Sequence, residues 1–346
     1  MGQVIQLKKL NNGFNDQILE LINLHQDDLK SINTLILEKL DSKVPLIHEI
    51  ASYLVLSGGK RLRPLLTSCC FHLINNNNSN SNNEQNNHIG LAAAVEFIHA
   101  ATLLHDDVID ESKKRRGNLT ANEVWGNKTS VLVGDFLFSR AFQLMTKYGN
   151  LEVLKILSDT SVTISEGEVL ELMNDKDPTI NEDIYFDVIN GKTASLFSTA
   201  CQVGGISASA NNKEIKSLKS FGNNFGMAFQ LIDDAIDYTS TNENLGKNIG
   251  DDFKEGKVTL PIILAYIRSN NKEKDFWNNC IVNLKQKKSD LNTAIMIMKK
   301  YNCIQDTIER AKHFANVAID SLGIFKENDH KKCLMNLITE SIKRIN

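Results

Sequence analysis

Apolar residues recur at helical spacing along nearly the whole chain of 346 residues, and only four prolines interrupt the pattern. In residues 28–40, DLKSINTLILEKL, the positions Leu29, Ile32, Leu35, Leu37 and Leu40 are separated mainly by three, with polar residues between them. That period marks an amphipathic helix. Similar patterns cover roughly 45–57, 62–74, 88–110, 129–147, 151–174, 182–202, 212–238, 257–268 and 304–321. No pair of alternating segments flanks a tight turn, so no hairpin is expected. The expected fold is all-α, a single domain over 1–346 with about ten or more helices.

Composition excludes the other broad classes. Four prolines lie far below the average of about 5%, which argues against collagen-like, Pro-rich disordered and turn-rich all-β chains. Hydrophobic residues at 42% and charged residues at 23% are ordinary for a globular chain. A net charge of −3 gives no drive toward polyanions, so nucleic acid is not an expected partner. The six cysteines lack CxxC spacing and no apolar signal segment precedes them, which points to a reduced, cytoplasmic setting. No apolar run approaches the roughly 18 residues of a bilayer span, so at most transient membrane association is expected.

Three segments break the helical pattern. Residues 75–87, NNNNSNSNNEQNN, cannot bury enough apolar area to offset ordering and read as a mobile loop inserted within the domain. The others are 175–181, with Pro178, and 238–257, rich in Gly, Asn and charge. The last is long enough to be functional.

Asp106, Asp107 and Asp110 end an apolar helical run as DDVID, and Asp233, Asp234 and Asp237 repeat the spacing as DDAID. On a helix the first and last aspartate of each set lie about 40° apart and about 6 Å along the axis, hence on one face. A solvated acidic helix end accounts for one such cluster about as well as function does. Two, each closing an apolar helix, favour a shared cavity mouth that takes divalent cations. Basic residues supply a complement: Lys60, Arg61 and Arg63 in GGKRLRP, then Lys113, Lys114, Arg115 and Arg116 beyond the first cluster. Metal-binding carboxylates beside bidentate phosphate partners suit a diphosphate. A full phosphate loop is absent, which removes a P-loop nucleotidase.

GGKRLRP at 58–64, HAATLLHDDVIDESKKRRG at 99–117, GKT at 191–193, FQLIDDAIDYT at 229–239 and GKNIGDDFKEGKVTLP at 246–261 together resemble the trans-polyprenyl diphosphate synthases. The resemblance implies an all-α isoprenoid synthase bundle with a central active-site cavity. It implies Mg²⁺, on the order of three ions per site, held by Asp106, Asp107, Asp110, Asp233, Asp234 and Asp237. Lys60, Arg63, His99 and Arg116 match positions that hold isopentenyl diphosphate. Arg115, Lys192, Thr193, Gln230 and Lys247 match those around the allylic diphosphate, with Lys192 in the catalytic set and Lys257 in the closing loop. A lone histidine on an apolar helix is usually a core residue, but His99 stands two turns below Asp106 on the same face. A homodimer is also implied.

The implied chemistry ionises an allylic diphosphate, joins it to isopentenyl diphosphate and releases a proton, with no protein nucleophile. Tail length depends on when the growing chain meets a bulky side chain. Large residues four and five places before the first motif close a short pocket in this family, and here they are Ala101 and Thr102. Ile98 and Val95 lie deeper, and Phe142 and Met145 are candidates for a floor, although Phe and Met at helical spacing are more often ordinary core. These features suggest an octaprenyl (C40) product, made from farnesyl diphosphate for a quinone side chain. A C15–C20 product, a terpene cyclase and a non-catalytic synthase subunit are the alternatives; both intact aspartate clusters and the Lys60, Arg63 and His99 set weigh against the last two.

Overall fold

The computed structural model describes residues 13–56, 58–75, 87–239 and 249–345. The first helices are α1 (Gly13–Leu24), α2 (Gln26–Lys39), α3 (Pro45–Leu56), α4 (Leu62–Asn75) and α5 (Asn87–Ile109). A small hairpin, β1 (Lys114–Arg115) and β2 (Asn118–Leu119), precedes α6 (Ala121–Trp125), α7 (Asn127–Tyr148), α8 (Leu151–Met173) and α9 (Glu182–Ile189). Then come α10 (Ser195–Ser207), α11 (Asn212–Ile236), α12 (Asp251–Glu255), α13 (Leu260–Arg268) and α14 (Asn271–Trp277). The chain ends with α15 (Asp290–Lys300), α16 (Cys303–Ser321) and α17 (Asp329–Ile342).

Asparagine starts many of these helices, because its side-chain oxygen satisfies amides that the first turn leaves free. Asn150, Asn181 and Asn328 cap α8, α9 and α17 in this way. Asn211 with Glu214, and Asn270 with Glu273, form reciprocal capping boxes at α11 and α14.

Helix α5 is buried on nearly every side, from His88 to Asp107. By length and composition it could cross a bilayer, but the bundle packs around most of it. It runs against α7, while α10 packs on α4 and α11, and α11 also packs on α16. Three apolar clusters result. One surrounds Val95, Phe97 and Ile98; one joins α4, α10, α11 and α17 through Phe221 and Phe225; one gathers Trp277 and Ile263 under α11.

Several expectations need correction. A hairpin does exist at 114–119, with Lys114 opposite Leu119 and Arg115 opposite Asn118. Its turn residues, Arg116 (φ 53°) and Gly117 (φ 85°), are both left-handed, as a two-residue primed turn requires. Arginine at the first turn position hid that signal. The pattern over 182–202 is two helices joined by a π-helical turn at Asn190–Ala194, and the one over 257–268 becomes helical only at Leu260. Helices α6, α12 and α14, five to seven residues each, are too short to show a helical period, whereas α1, α15 and α17 do carry an amphipathic pattern that was passed over. The proposed mobile loop lies outside the described residues apart from Asn75 and Asn87, which end α4 and begin α5.

The π turn exists where two backbones nearly touch. A Cβ on Gly167 of α8 would lie 2.9 Å from the Cα of Gly191, and a Cβ on Gly191 would lie 2.9 Å from the Thr163 carbonyl oxygen. Real Cβ atoms do not approach backbone so closely, so Gly167→Ala must push α8 from the turn. The expected loss is about 1–3 kcal/mol in urea denaturation, and a midpoint equal to the parent's would refute the tight contact.

Candidate active site

Residues 104–110 and 231–237 bring their aspartates to the ends of α5 and α11. Within each cluster the second aspartate is buried and committed to a protein donor. Asp107 accepts from Arg115 Nε at 3.0 and 3.1 Å, and Arg115 Nη2 lies 2.8 Å from it. The hairpin makes this possible, because it folds the chain back so that Arg115 returns to the helix end it has just left. Asp234 accepts from the Tyr185 hydroxyl at 2.5 Å and from Gln230 Nε2 at 2.8 Å. Burial and the neighbouring Asp252 carboxylate still raise Asp234 above the usual carboxylate range.

The remaining aspartates face the mouth. Asp106 is pushed up to about 7 by burial and by the Glu168 and Asp110 carboxylates, against the pull of Lys192 and Arg115. Asp110 lies 3.8 Å from Lys257 Nζ, which also bonds Glu255 at 2.9 Å. Asp233 pairs with Arg344 Nη2 at 2.7 Å. Asp237 accepts the backbone amides of Asp251 and Asp252, each at 3.2 Å, and so anchors α12. Lys257 closes the circuit: its amide bonds the Asp252 carbonyl at 2.9 Å while its ammonium reaches the first cluster.

Lys192 projects from the π turn between Glu168 at 3.1 Å and Glu171 at 2.5 Å, and burial, which would lower its pKa, is outweighed by these carboxylates and Asp106. It therefore stays charged. Thr193, next in the turn, donates to Gln230 Oε1 at 3.0 Å, and Gln230 donates in turn to Asp234. The turn thus links α8, the first cluster and the second.

A cationic pocket adjoins this mouth. Gly58 (φ 91°) and Arg61 (φ 48°) bend the 58–61 loop, and the Arg116 guanidinium packs so near Gly59 that a Cβ there would lie 3.0 Å from Nη1. Arg61 is spent on the buried Glu96 and on the Val55 carbonyl. Lys60, Arg63 and Arg116 have no carboxylate within ion-pair distance among the described residues. Lys60 instead lies 4.7 Å from the Phe14 ring centre, and Arg63 lies 4.1 Å from that of Phe197, with its Nε buried and without a partner. Burial lowers Lys60 to about 8, helped by Arg344. Burial and the cations Arg63, Arg116, Arg115 and Arg61 push His99 well below the ordinary imidazole value, so it is neutral.

Ala101, Ile98 and Val95 are fully buried along α5, and Met145 of α7 belongs to the same apolar cluster. The half-buried Thr102 turns its hydroxyl back to the His99 carbonyl at 2.9 Å. Phe142 differs from expectation. It is 46% exposed and packs edge-on against Phe138, so within this chain it forms no floor. Lys247 lies outside the described residues.

Sequence reasoning passed over Glu96, Glu168, Glu171, Tyr185 and Arg344. The ExxE spacing of Glu168 and Glu171 was a usable signal, since i and i+3 share a helix face. Tyr185 and Arg344 had none, because their partners lie far away in the chain.

A family model for polyprenyl synthetase matches residues 44–298. The octaprenyl diphosphate synthase of Escherichia coli is 42% identical over 327 residues, covering 94% of this chain and 99% of that protein. The crystal structure of a decaprenyl diphosphate synthase from Rhodobacter capsulatus superposes with a TM-score of 0.89 at 41% identity, covering 95% of this chain and 99% of that one. A polyprenyl synthase from Caulobacter crescentus, solved with calcium and isoprenyl diphosphate, gives 0.87 at 41% identity, covering 94% and 97% of the two chains. With both aspartate clusters at one mouth and an all-helical frame of this kind, the chain belongs to the polyprenyl synthetase family and is a polyprenyl diphosphate synthase, a prenyltransferase.

Proposed function

We propose that this long-chain trans-polyprenyl diphosphate synthase extends farnesyl diphosphate with isopentenyl diphosphate to octaprenyl diphosphate, the tail of a quinone. The observation that carries the reading is the division of charge at the mouth. Carboxylates from α5 and α11 lie on one side, and Lys60, Arg63 and Arg116 lie on the other without carboxylate partners among the described residues. Two diphosphates suit such a divided site: one bridged to the carboxylates through metal, the other held directly by cations.

The donor set fits Mg²⁺, since it is made of carboxylate oxygens, and Asp106 is raised by burial and then by the Glu168 and Asp110 carboxylates, a cost to its ionised form that a facing cation offsets. Asp106, Asp110 and Asp233 would hold the ions, while Asp107, Asp234 and Asp237, already bound to Arg115, to Tyr185 and Gln230, and to the amides of Asp251 and Asp252, keep the helix ends and α12 in register. Bound Mg²⁺ would supply positive charge to the departing diphosphate. Lys192 and Arg115 stand beside Asp106 and add fixed positive charge where that diphosphate develops its own. Lys60, Arg63, Arg116 and neutral His99 would orient isopentenyl diphosphate so that its double bond faces the allylic C1. The C1–oxygen bond then breaks with its electrons going to diphosphate, the new carbon–carbon bond forms, and a proton leaves, with diphosphate as its acceptor.

Length rests on the apolar path down α5. A side chain as small as Ala101 would leave room for a tail at the top of that path, and the helix continues about 28 Å from Asp106 to Asn87 at 1.5 Å per residue. The octaprenyl relative supports C40, while equal likeness to a decaprenyl synthase makes path depth the deciding quantity. The exposed face of α7 and α8, including Leu132 at 67%, supports pairing with a second copy.

Incubation with Mg²⁺, farnesyl diphosphate and labelled isopentenyl diphosphate should give products ending at C40. A ladder ending at C45 or C50 reassigns the length, and one ending at C15 or C20 overturns the long-chain reading. Asp106→Ala and Asp233→Ala should each lower kcat by about a hundredfold or more with helical circular dichroism retained, and parental turnover in either would remove it from the metal set. Ala101→Phe should shorten products while condensation persists; an unaltered ladder would take residue 101 out of the wall.

A further inference from the structure

Four of the chain's eight histidines converge at the other end of the bundle, a place the reaction does not use. His25 sits at the α1–α2 junction, His72 on α4, His88 at the start of α5 and His330 on α17. His88 stands about 27 Å along α5 from Asp106, at 1.5 Å per residue. The rings of His25, His72 and His330 have centres 5.1–5.5 Å apart. Cys69 lies one turn before His72 on α4, and its thiol donates to the His330 carbonyl at 3.6 Å.

The hydrogen bonds fix which atoms are free to bind. Ser68 gives its hydroxyl proton to Asp28, so its oxygen accepts from His25 Nδ1 at 3.3 Å. His25 is therefore protonated on Nδ1, and Nε2 carries a lone pair. It accepts a hydrogen bond from His330 Nδ1–H, 3.4 Å away, and a metal ion taking the place of that hydrogen requires the His330 proton to move to its Nε2. Two nitrogens on one tetrahedral zinc, each at about 2.0–2.1 Å from it, lie about 3.4 Å apart. One ring nitrogen from each of His25 and His330 and the Cys69 sulfur all fall within 4.8 Å of one another, and all three residues are buried. Asp28 has a different part: one of its oxygens already accepts from His72 at 2.8 Å, His88 at 3.1 Å and Ser68. It reaches the ligand His25 through Ser68, whose hydroxyl bridges the carboxylate and His25 Nδ1, and it fixes His72 beside the site.

We propose that His25 Nε2, His330 Nδ1 and Cys69 Sγ form a structural zinc site that ties α4 and α17 to the α1–α2 junction, with the fourth position beside His72. Nitrogen and thiolate donors select zinc over the Mg²⁺ of an oxygen-only site. Burial and the surrounding imidazoles lower His25 to about 3 and His330 to about 4, so both rings are neutral and able to bind metal at physiological pH. Binding forms two Zn–N bonds and one Zn–S bond; the His330 proton moves from Nδ1 to Nε2, leaving the ring neutral, and the Cys69 proton passes to solvent. No electron is transferred.

The test uses the full-length protein, stripped with chelator and held in excess Mg²⁺ to occupy the carboxylate mouth. Titration with Co²⁺ should give, at one equivalent, a thiolate-to-cobalt band in the near ultraviolet with the intense visible bands of tetrahedral cobalt. Zn²⁺ should abolish both. Cys69→Ser should lose the charge-transfer band, and Ser68→Ala should weaken zinc binding by about tenfold or more. Absence of the band in the parent protein overturns the site, because that measurement needs no variant to fold. Persistence of the band in folded Cys69→Ser overturns the ligand assignment.

Discussion

Ionised carboxylates at the ends of α5 and α11 repel one another, and much of the surrounding structure counters that repulsion. Desolvation sharpens the problem, since the interaction grows as water is excluded. Asp107 is neutralised by Arg115 and Asp234 is held by Tyr185 and Gln230, while Lys192 enters from α8's side among Glu168, Glu171 and Asp106. That entry depends on two glycines, Gly167 and Gly191, which let the π turn lie against α8. An interruption of regular helix at such a point is a common companion of function.

The cationic pocket follows the opposite logic. Burial disfavours the charged forms of Lys60, Arg63 and Arg116 unless an anion faces them, and aromatic faces at Lys60 and Arg63 offset only part of that cost. Arg61 with Glu96 forms a paired base beneath them. Both ends of the described chain meet here, because Arg344 packs over Phe14 and Phe229 while pairing with Asp233. Helix α1 and the C-terminal turn are therefore parts of the mouth as well as of the outer shell.

Much of this was legible in the residues. The helical period located the long helices, and the two DDxxD spacings identified the helix ends that carry charge. GGKRLRP and GKT marked the loop and the π turn, although nothing in GKT announced that the helix would bulge there. The hairpin was missed because Arg-Gly is a weak turn signal beside Asn-Gly. That Phe142 turns outward in this chain was not legible, because period alone does not tell a face turned toward the core from one turned away.

The chain by itself determined what acts over three or four residues: helix starts at asparagine, the pairing of aspartates on one face, and the apolar stripe of α5. Tertiary structure alone decided which distant groups meet. Tyr185 with Asp234, Arg344 with Asp233, and His25 with His330 are separated by tens to hundreds of residues, and each pairing exists only because packed helices bring their ends together. Local spacing is set by backbone geometry and is readable one segment at a time. Partnership across the bundle is set by the packing of all segments together, which no single segment encodes.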